Sequence, residues 1–213
     1  MFFSIDNLKI LGRKTSSNVQ KVLWACGEME LDFEREDIGG PFGGNDQDKY
    51  LALNPNGLVP TIIEEDGFTL WESNSCARYL TKKFDFGGIY PKDPQILADA
   101  ERWMDWQLTV CSPSLVPVFR GLIRTPSEKR DITAIERARD ELSKSMAMLD
   151  NNLADRPFVA GSKFSIGDIP VGIAAYRWFE MPIEREDYPN LKRWFDLLAE
   201  RPAFQEHIMQ GLE

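Results

Sequence analysis

The chain has 213 residues, 43% hydrophobic and 28% charged, which is an ordinary globular composition with room for one large domain or two smaller ones. Its net charge of −9 argues against non-specific binding to nucleic acid or to anionic membranes. Three cysteines without a C-x-x-C spacing and a single histidine, His207, leave little material for a disulfide framework, a zinc site or a Ser-His-Asp scheme, and they fit a reducing, cytoplasmic setting.

In chain order, Met1–Asp6 is too short an apolar run for a leader or a membrane span. Leu8–Leu11 predicts a short strand ended by Gly12. A polar connection, Arg13–Asn18, supplies residues suited to helix capping. Val19, Val22, Leu23 and Cys26 then fall at i, i+3, i+4 and i+7, one face of a helix, with Gly27 near its end as a C-cap glycine. Leu31–Arg35 alternates apolar and charged residues, the pattern of a half-buried strand. A glycine loop, Gly39–Gly44, carries Phe42 at its centre, and Lys49–Leu53 suggests one helical turn.

Residues Asn54–Asn74 hold the densest signals. Asn54-Pro55-Asn56-Gly57 is turn chemistry, because Pro fixes φ and Gly accepts positive φ. Thr61-Ile62-Ile63 and Phe68-Thr69-Leu70, joined at Asp66-Gly67, predict a β-hairpin. Ser73 or Asn74 would cap the helix that carries Cys76, Ala77, Leu80 and Phe84. Strands running straight into a helix N-terminus gather unpaired backbone donors, a setting for an extended, anionic small molecule.

Past the Gly/Pro-rich connection at 87–93 the strand signal stops. Leu97, Ala100, Trp103, Met104, Gln107 and Val110 keep helical spacing, and Pro113 and Pro117 are expected to break or kink that helix. Ile135, Leu142, Met146, Leu149 and Leu153 make a second stripe. Ser165-Ile166-Gly167-Asp168 has capping-box spacing and opens an almost wholly apolar helix, Ile169–Tyr176. Leu191, Trp194, Phe195 and Leu198 form a later face, and Arg201-Pro202 starts a last short helix.

This order, β-α-β-(α)-β-β-α followed by helices, resembles the cytosolic glutathione transferases. Leu58-Val59-Pro60-Thr61, Leu70-Trp71-Glu72-Ser73-Asn74 and Phe164–Asp168 carry the resemblance, which covers nearly the whole chain. It implies an α/β plus all-α molecule: a thioredoxin-like domain with a mixed four-stranded sheet at 1–86, a linker at 87–93 and an all-helical domain at 94–213. It further implies a cis peptide bond before Pro60, with the Val59 backbone pairing to the cysteinyl part of glutathione. Ser73 and the helix start would take the γ-glutamyl carboxylate, and Glu72 its ammonium.

No Tyr precedes Tyr50, which excludes the tyrosine-using branch of that family, and Cys26 lies on the apolar face and reads as core. The thiol-activating group is then a hydroxyl, as in a theta- or nu-like bacterial member. Thr15, Ser16 and Ser17 all qualify; spacing back from Val22 favours Ser16 with Asn18 as a supporting amide, although each also suits a plain N-cap. Lys49, with Asn45, is a candidate for the glycyl carboxylate, while Leu58 stands where relatives often carry a polar anchor.

The electrophile pocket would lie between the loop after the first strand and the first helix of the second domain. Trp106 ranks first there, being off the main stripe, followed by Trp103, Val110, Gln107 and Phe119. The implied activity is conjugation of glutathione, as co-substrate and without a metal, to a hydrophobic small molecule. Glutathione-dependent disulfide reduction and a non-catalytic protein-binding role are the alternatives. The resemblance also implies a homodimer, with Phe42 as an inserted apolar anchor.

Overall fold

A computed structural model describes residues 8–213, so the Met1–Asp6 reading lies outside the described residues. The chain divides into two compact units, Met1–Tyr90 and Pro91–Glu213.

The first unit contains β1 (Lys9–Leu11), α1 (Ser17–Glu28), β2 (Glu34–Glu36), α2 (Asp48–Leu51), β3 (Thr61–Ile63), β4 (Thr69–Trp71) and α3 (Ser73–Phe84). The sheet runs β2-β1-β3-β4. β1 pairs parallel to β2 with Lys9 opposite Glu34, and antiparallel to β3 with Ile10 opposite Ile62. The predicted thioredoxin-like mixed sheet is therefore present. Period-2 alternation splits β1 between two cores. Leu8 and Ile10 join Val19, Val22, Leu23 and Cys26 of α1 and Cys76 and Leu80 of α3. Leu11 faces the other way, toward Ile38 and Tyr50. Burying each aliphatic side chain contributes on the order of 1.5–3 kcal/mol, so these clusters fix both helices on the sheet.

Three local readings need correction. α1 does not end on Gly27. It runs to Glu28, and Glu30 takes the left-handed position at φ 52. Glu30 N–H donates to the Gly27 carbonyl and Leu31 N–H to the Cys26 carbonyl, a Schellman ending, with Leu31 and Cys26 in the same core cluster. Leu31 is thereby spent on the helix end, and the strand starts later, at Glu34. The cap of α3 is Glu72, not Ser73 or Asn74. β4 ends at Trp71, so a single residue must turn the chain, and Glu72 does so at φ 69.

The second unit holds α4 (Pro94–Trp106), α5 (Ser112–Phe119), α6 (Ile132–Asn152), α7 (Asp168–Glu180), α8 (Pro189–Ala199) and α9 (Pro202–His207). Pro113 and Pro117 do not break the first of these helical stretches. Wide π turns at Gln107–Cys111 and Arg120–Arg124 flank α5. Ser112 N–H reaches back five residues to the Gln107 carbonyl, so the register has already widened where Pro113 withholds its donor.

The Asp168 carboxylate organises the centre of this unit. It accepts from Val159 N–H (3.0 Å), Ser165 N–H (2.9 Å), Ser165 Oγ (3.1 Å) and the Trp194 indole (2.9 Å). The predicted capping box is thus half kept. Asp168 reaches back to Ser165, but the serine hydroxyl donates to the carboxylate instead of capping an amide. Burial outweighs these donors and pushes the Asp168 carboxyl up to about 6.

Candidate functional site

The candidate site of the first unit is assembled where β1, the Leu58–Pro60 turn, the start of α1 and the start of α3 meet. Gly12 makes the approach possible. A Cβ there would stand 2.5 Å from Val19 Cγ2 and 3.1 Å from Val59 Cβ. The chain after β1 can therefore pass directly against Val59, four residues before Ser16.

The Val59-Pro60 peptide is cis. Among the described residues, neither the N–H nor the C=O of Val59 is paired with another backbone group, although β3 begins two residues later. Such groups are obligatory hydrogen-bonding partners, so the turn offers a strand-like edge to an extended ligand. A polar knot absent from the sequence reading holds this turn. The Tyr50 hydroxyl donates to the Leu58 carbonyl at 2.6 Å and lies 2.9 Å from Thr61 Oγ1. Asn54 Nδ2 donates to the same carbonyl at 2.8 Å. Tyr50, Asn54 and Thr61 are all buried. Burial pushes the Tyr50 phenol up, so its hydroxyl keeps the proton it donates.

Ser16 is the N-cap residue of α1, yet its hydroxyl makes no capping hydrogen bond. The side chain is buried, at 8% exposure, while Thr15 and Ser17 are only partly so. The structure pairs Asn18 not with Ser16 but with Ser73, whose Oγ donates to Asn18 Oδ1 at 3.2 Å. The same Oγ accepts from Lys21 Nζ at 3.4 Å. Lys21, 2% exposed, is a second residue the sequence reading missed. It sits within the run Val19–Cys26, every residue of which is buried.

Glu72 stands exposed at the head of α3 with a positive φ that non-glycine residues rarely adopt. Positive-φ residues concentrate at ligand clamps. The first amides of α3 have no carbonyl a turn earlier to bond, so the helix start suits an anion, and the Glu72 carboxylate beside it suits a cation.

Lys49 lies on α2 and is exposed. Asn45 is occupied holding the loop, donating Nδ2 to the Gly57 carbonyl at 2.7 Å. The Arg13 side chain, not singled out from sequence, lies across Gly39 and Gly40, and a Cβ on Gly40 would sit 2.9 Å from its Nε.

The tryptophans proposed for the electrophile pocket are buried. Trp103 and Trp106 meet edge to face with ring centroids 4.9 Å apart, and they line a cavity of about 230 Å³ with Arg102, Met148 and Asn152. Val110 is 48% exposed and lines a separate groove of about 720 Å³ with Pro113, Arg137 and Met148. The three candidates thus lie in two places. Gln107 and Phe119 are buried, whereas Leu108 and Val116, unremarked in the sequence, present apolar surface.

No cysteine serves the site. All three are fully buried, and burial pushes the Cys26 and Cys76 thiols up to about 12. Among the described residues no helix is long and apolar enough to cross a membrane, and no group of three or more His, Cys, Asp or Glu could hold a metal ion.

The family descriptions "Glutathione S-transferase, N-terminal domain" and "Glutathione S-transferase, C-terminal domain" match residues 15–83 and 105–202. Glutathione S-transferase GstB of Escherichia coli K12 is 37% identical over 203 residues, covering 95% of this chain and 98% of that protein. The chain belongs to the glutathione S-transferase family. A theta class glutathione S-transferase from the citrus canker pathogen Xanthomonas axonopodis pv. citri, solved with glutathione bound, is similar with a TM-score of 0.93 and 41% identity over 97% of this chain and 99% of that one. Glutathione S-transferase 3 of Zea mays is 28% identical over 94% of this chain and 93% of its own. The likeness to a theta class structure agrees with the theta- or nu-like branch of glutathione S-transferases that the motifs resemble.

Proposed function

We propose that this glutathione S-transferase binds glutathione along the Val59-Pro60 turn and the α3 start, activates its thiol with the Ser16 hydroxyl, and conjugates it to a hydrophobic electrophile. The observation that carries this reading is the Ser16 side chain, buried at the head of α1 and not spent on capping that helix.

A free thiol has a pKa near 8.5, and only the thiolate attacks. A hydroxyl donating to sulfur at a helix N-terminus favours the thiolate through both the hydrogen bond and the helix dipole. The thiol proton passes to solvent. The thiolate then forms a carbon–sulfur bond, and either a leaving group departs from the electrophile or a polarised double bond takes the electron pair. Val59 would pair with the cysteinyl backbone, Ser73 would donate to the γ-glutamyl carboxylate and Glu72 would accept from its ammonium. Lys49 remains the candidate for the glycyl carboxylate. Asn18 acts through Ser73 in this scheme, not through the thiol. Leu108, Val110 and Val116 are exposed apolar side chains that an electrophile could meet on the helical unit.

Calorimetry of glutathione binding, run beside conjugation to an aryl halide and a disulfide-reduction assay, tests the reading. Ser16→Ala should bind glutathione within about threefold of wild type and lose about 10²–10³ in kcat, the scale of removing one preorganised donor. Unchanged turnover in Ser16→Ala would move the role to Thr15 or Ser17, and absence of glutathione binding in the wild type would remove the reading altogether. We also propose a cytoplasmic homodimer in which Phe42, 58% exposed on its glycine-flanked turn, seats against the helical unit of a second copy.

A further inference from the structure

A lysine in the middle of a buried helical run is a costly choice. Lys21 is 2% exposed on α1 with buried neighbours from Val19 to Cys26, where an apolar side chain of equal volume would avoid the cost of taking an ammonium out of water. Its Nζ is directed at one atom of the candidate site, Ser73 Oγ, 3.4 Å away and 52 residues distant in sequence. Ser73 is the first helical residue of α3, where the helix already favours an anion. A second positive charge thus stands directly behind that anion position, screened from solvent.

We propose that Lys21 is a positioning and specificity residue for the γ-glutamyl carboxylate of glutathione, acting through Ser73. The proposal rests on the reading of Ser73 as the carboxylate contact. The proton inventory of the cluster supports it. A serine hydroxyl has one proton and two lone pairs. Without ligand, Ser73 gives its proton to Asn18 Oδ1 and takes one from Lys21. When a carboxylate arrives, the hydroxyl proton turns to it, and Asn18 rotates its amide so that Nδ2 donates to Ser73 Oγ in place of Oδ1 accepting. The Ser73 hydroxyl thereby keeps one donated and two accepted bonds, and the ammonium keeps the hydroxyl oxygen in place while its proton moves.

The charge also sorts the two ends of an α-amino acid. Lys21 attracts the carboxylate and repels the ammonium, which leaves the ammonium for Glu72 on the exposed side. A thiol peptide without the α-carboxylate forfeits this interaction.

The test compares glutathione with γ-aminobutyryl-cysteinyl-glycine, which lacks only that carboxylate, by calorimetry on wild type, Lys21→Met, Lys21→Arg, Ser73→Ala, Asn18→Ala and Asn18→Asp. Lys21→Met should weaken glutathione binding about 10–100-fold, as loss of a close desolvated charge would, and change the affinity for the analogue by less than about threefold. Lys21→Arg should recover part of the affinity. Asn18 is exposed, so its variants keep the fold should Lys21→Met fail to do so. Asn18→Asp competes for the Ser73 proton and for the Lys21 charge, and it should weaken glutathione binding at least tenfold more than Asn18→Ala. Equal affinities in the two Asn18 variants, or wild-type affinity in Lys21→Met while Ser73→Ala is impaired, would overturn the role of Lys21. Wild-type affinity in Ser73→Ala, with no discrimination against the analogue, would instead overturn the carboxylate reading beneath it.

Discussion

Tyr50 shows how far one hydroxyl reaches. Its O–H is bonded to the Leu58 carbonyl and lies against Thr61, so it fixes the carbonyl one residue before Val59. Tyr50→Phe should cost about 1–2 kcal/mol of stability, the usual range for a buried hydrogen bond lost with its acceptor still partly served by Asn54. It should raise KM for glutathione several-fold with kcat nearly unchanged, the pattern of lost uniform binding. Steady-state kinetics and a thermal melt on the same sample read both effects. Equal falls in kcat and kcat/KM would contradict this division. At this scale the sequence was legible only where a residue type carries its own geometry. The cis step at Val59-Pro60, the N-cap position of Ser16 and the helix start at Ser73 could be read because prolines and caps have local signatures. Lys21 and Tyr50 could not, because whether a polar side chain turns inward is decided by neighbours 52 and 11 residues away. The extent to which Trp106 is buried was illegible for the same reason. A residue off the main stripe suggested a pocket wall, and Trp106 lies 8% exposed on a cavity that it shares with Met148 and Asn152 of α6.

Among the elements, helices were placed well by their apolar period and their ends poorly. The end of α1 depends on a left-handed Glu30, a conformation no pattern rule assigns to glutamate. The continuity of helix past Pro113 depends on a wide turn that propensity does not encode. The start of α7 rests on Asp168, and here pH is informative. Its folded value of about 6 lies above the ordinary 3.8, so the folded chain holds this proton more tightly than the unfolded chain. The stabilisation from this group is complete below about pH 4 and is lost as pH rises through about 6. Asp168→Asn removes the titration and turns an amide NH₂ toward donors from Ser165 or from Val159 and Trp194. It should cost about 1–3 kcal/mol at pH 7, and its deficit relative to wild type should widen between pH 7 and pH 5 in urea denaturation. A deficit independent of pH would show that the carboxyl is not the titrating group.

For the whole molecule, composition and element order were enough to name a sheet unit followed by a helical unit, since the loss of strand signal after residue 87 is a change of period that no local exception disguises. How copies associate is less legible, because a surface is read from exposure and not from pattern. Among the described residues Phe42 is the most exposed aromatic side chain, and it sits between glycines in a turn tied by Gly39 N–H to the Gly43 carbonyl at 2.7 Å. If it seats in a second copy, Phe42→Ser should shift sedimentation from dimer toward monomer at micromolar concentration without lowering helix content by circular dichroism. A dimer unmoved by the change would place the interface elsewhere.

The three buried cysteines have a chemical consequence for a chain that handles a thiol tripeptide. Mixed-disulfide exchange needs an accessible thiolate, and Cys26, Cys76 and Cys111 are fully buried, the first two with thiols pushed to about 12. Incubation of the folded protein with oxidised glutathione should therefore leave its intact mass unchanged, while the same treatment in denaturant adds glutathione to its cysteines. Its throughput would then follow the amount of reduced glutathione present, not the redox ratio of the pool, and an oxidative surge would starve the enzyme without scarring it.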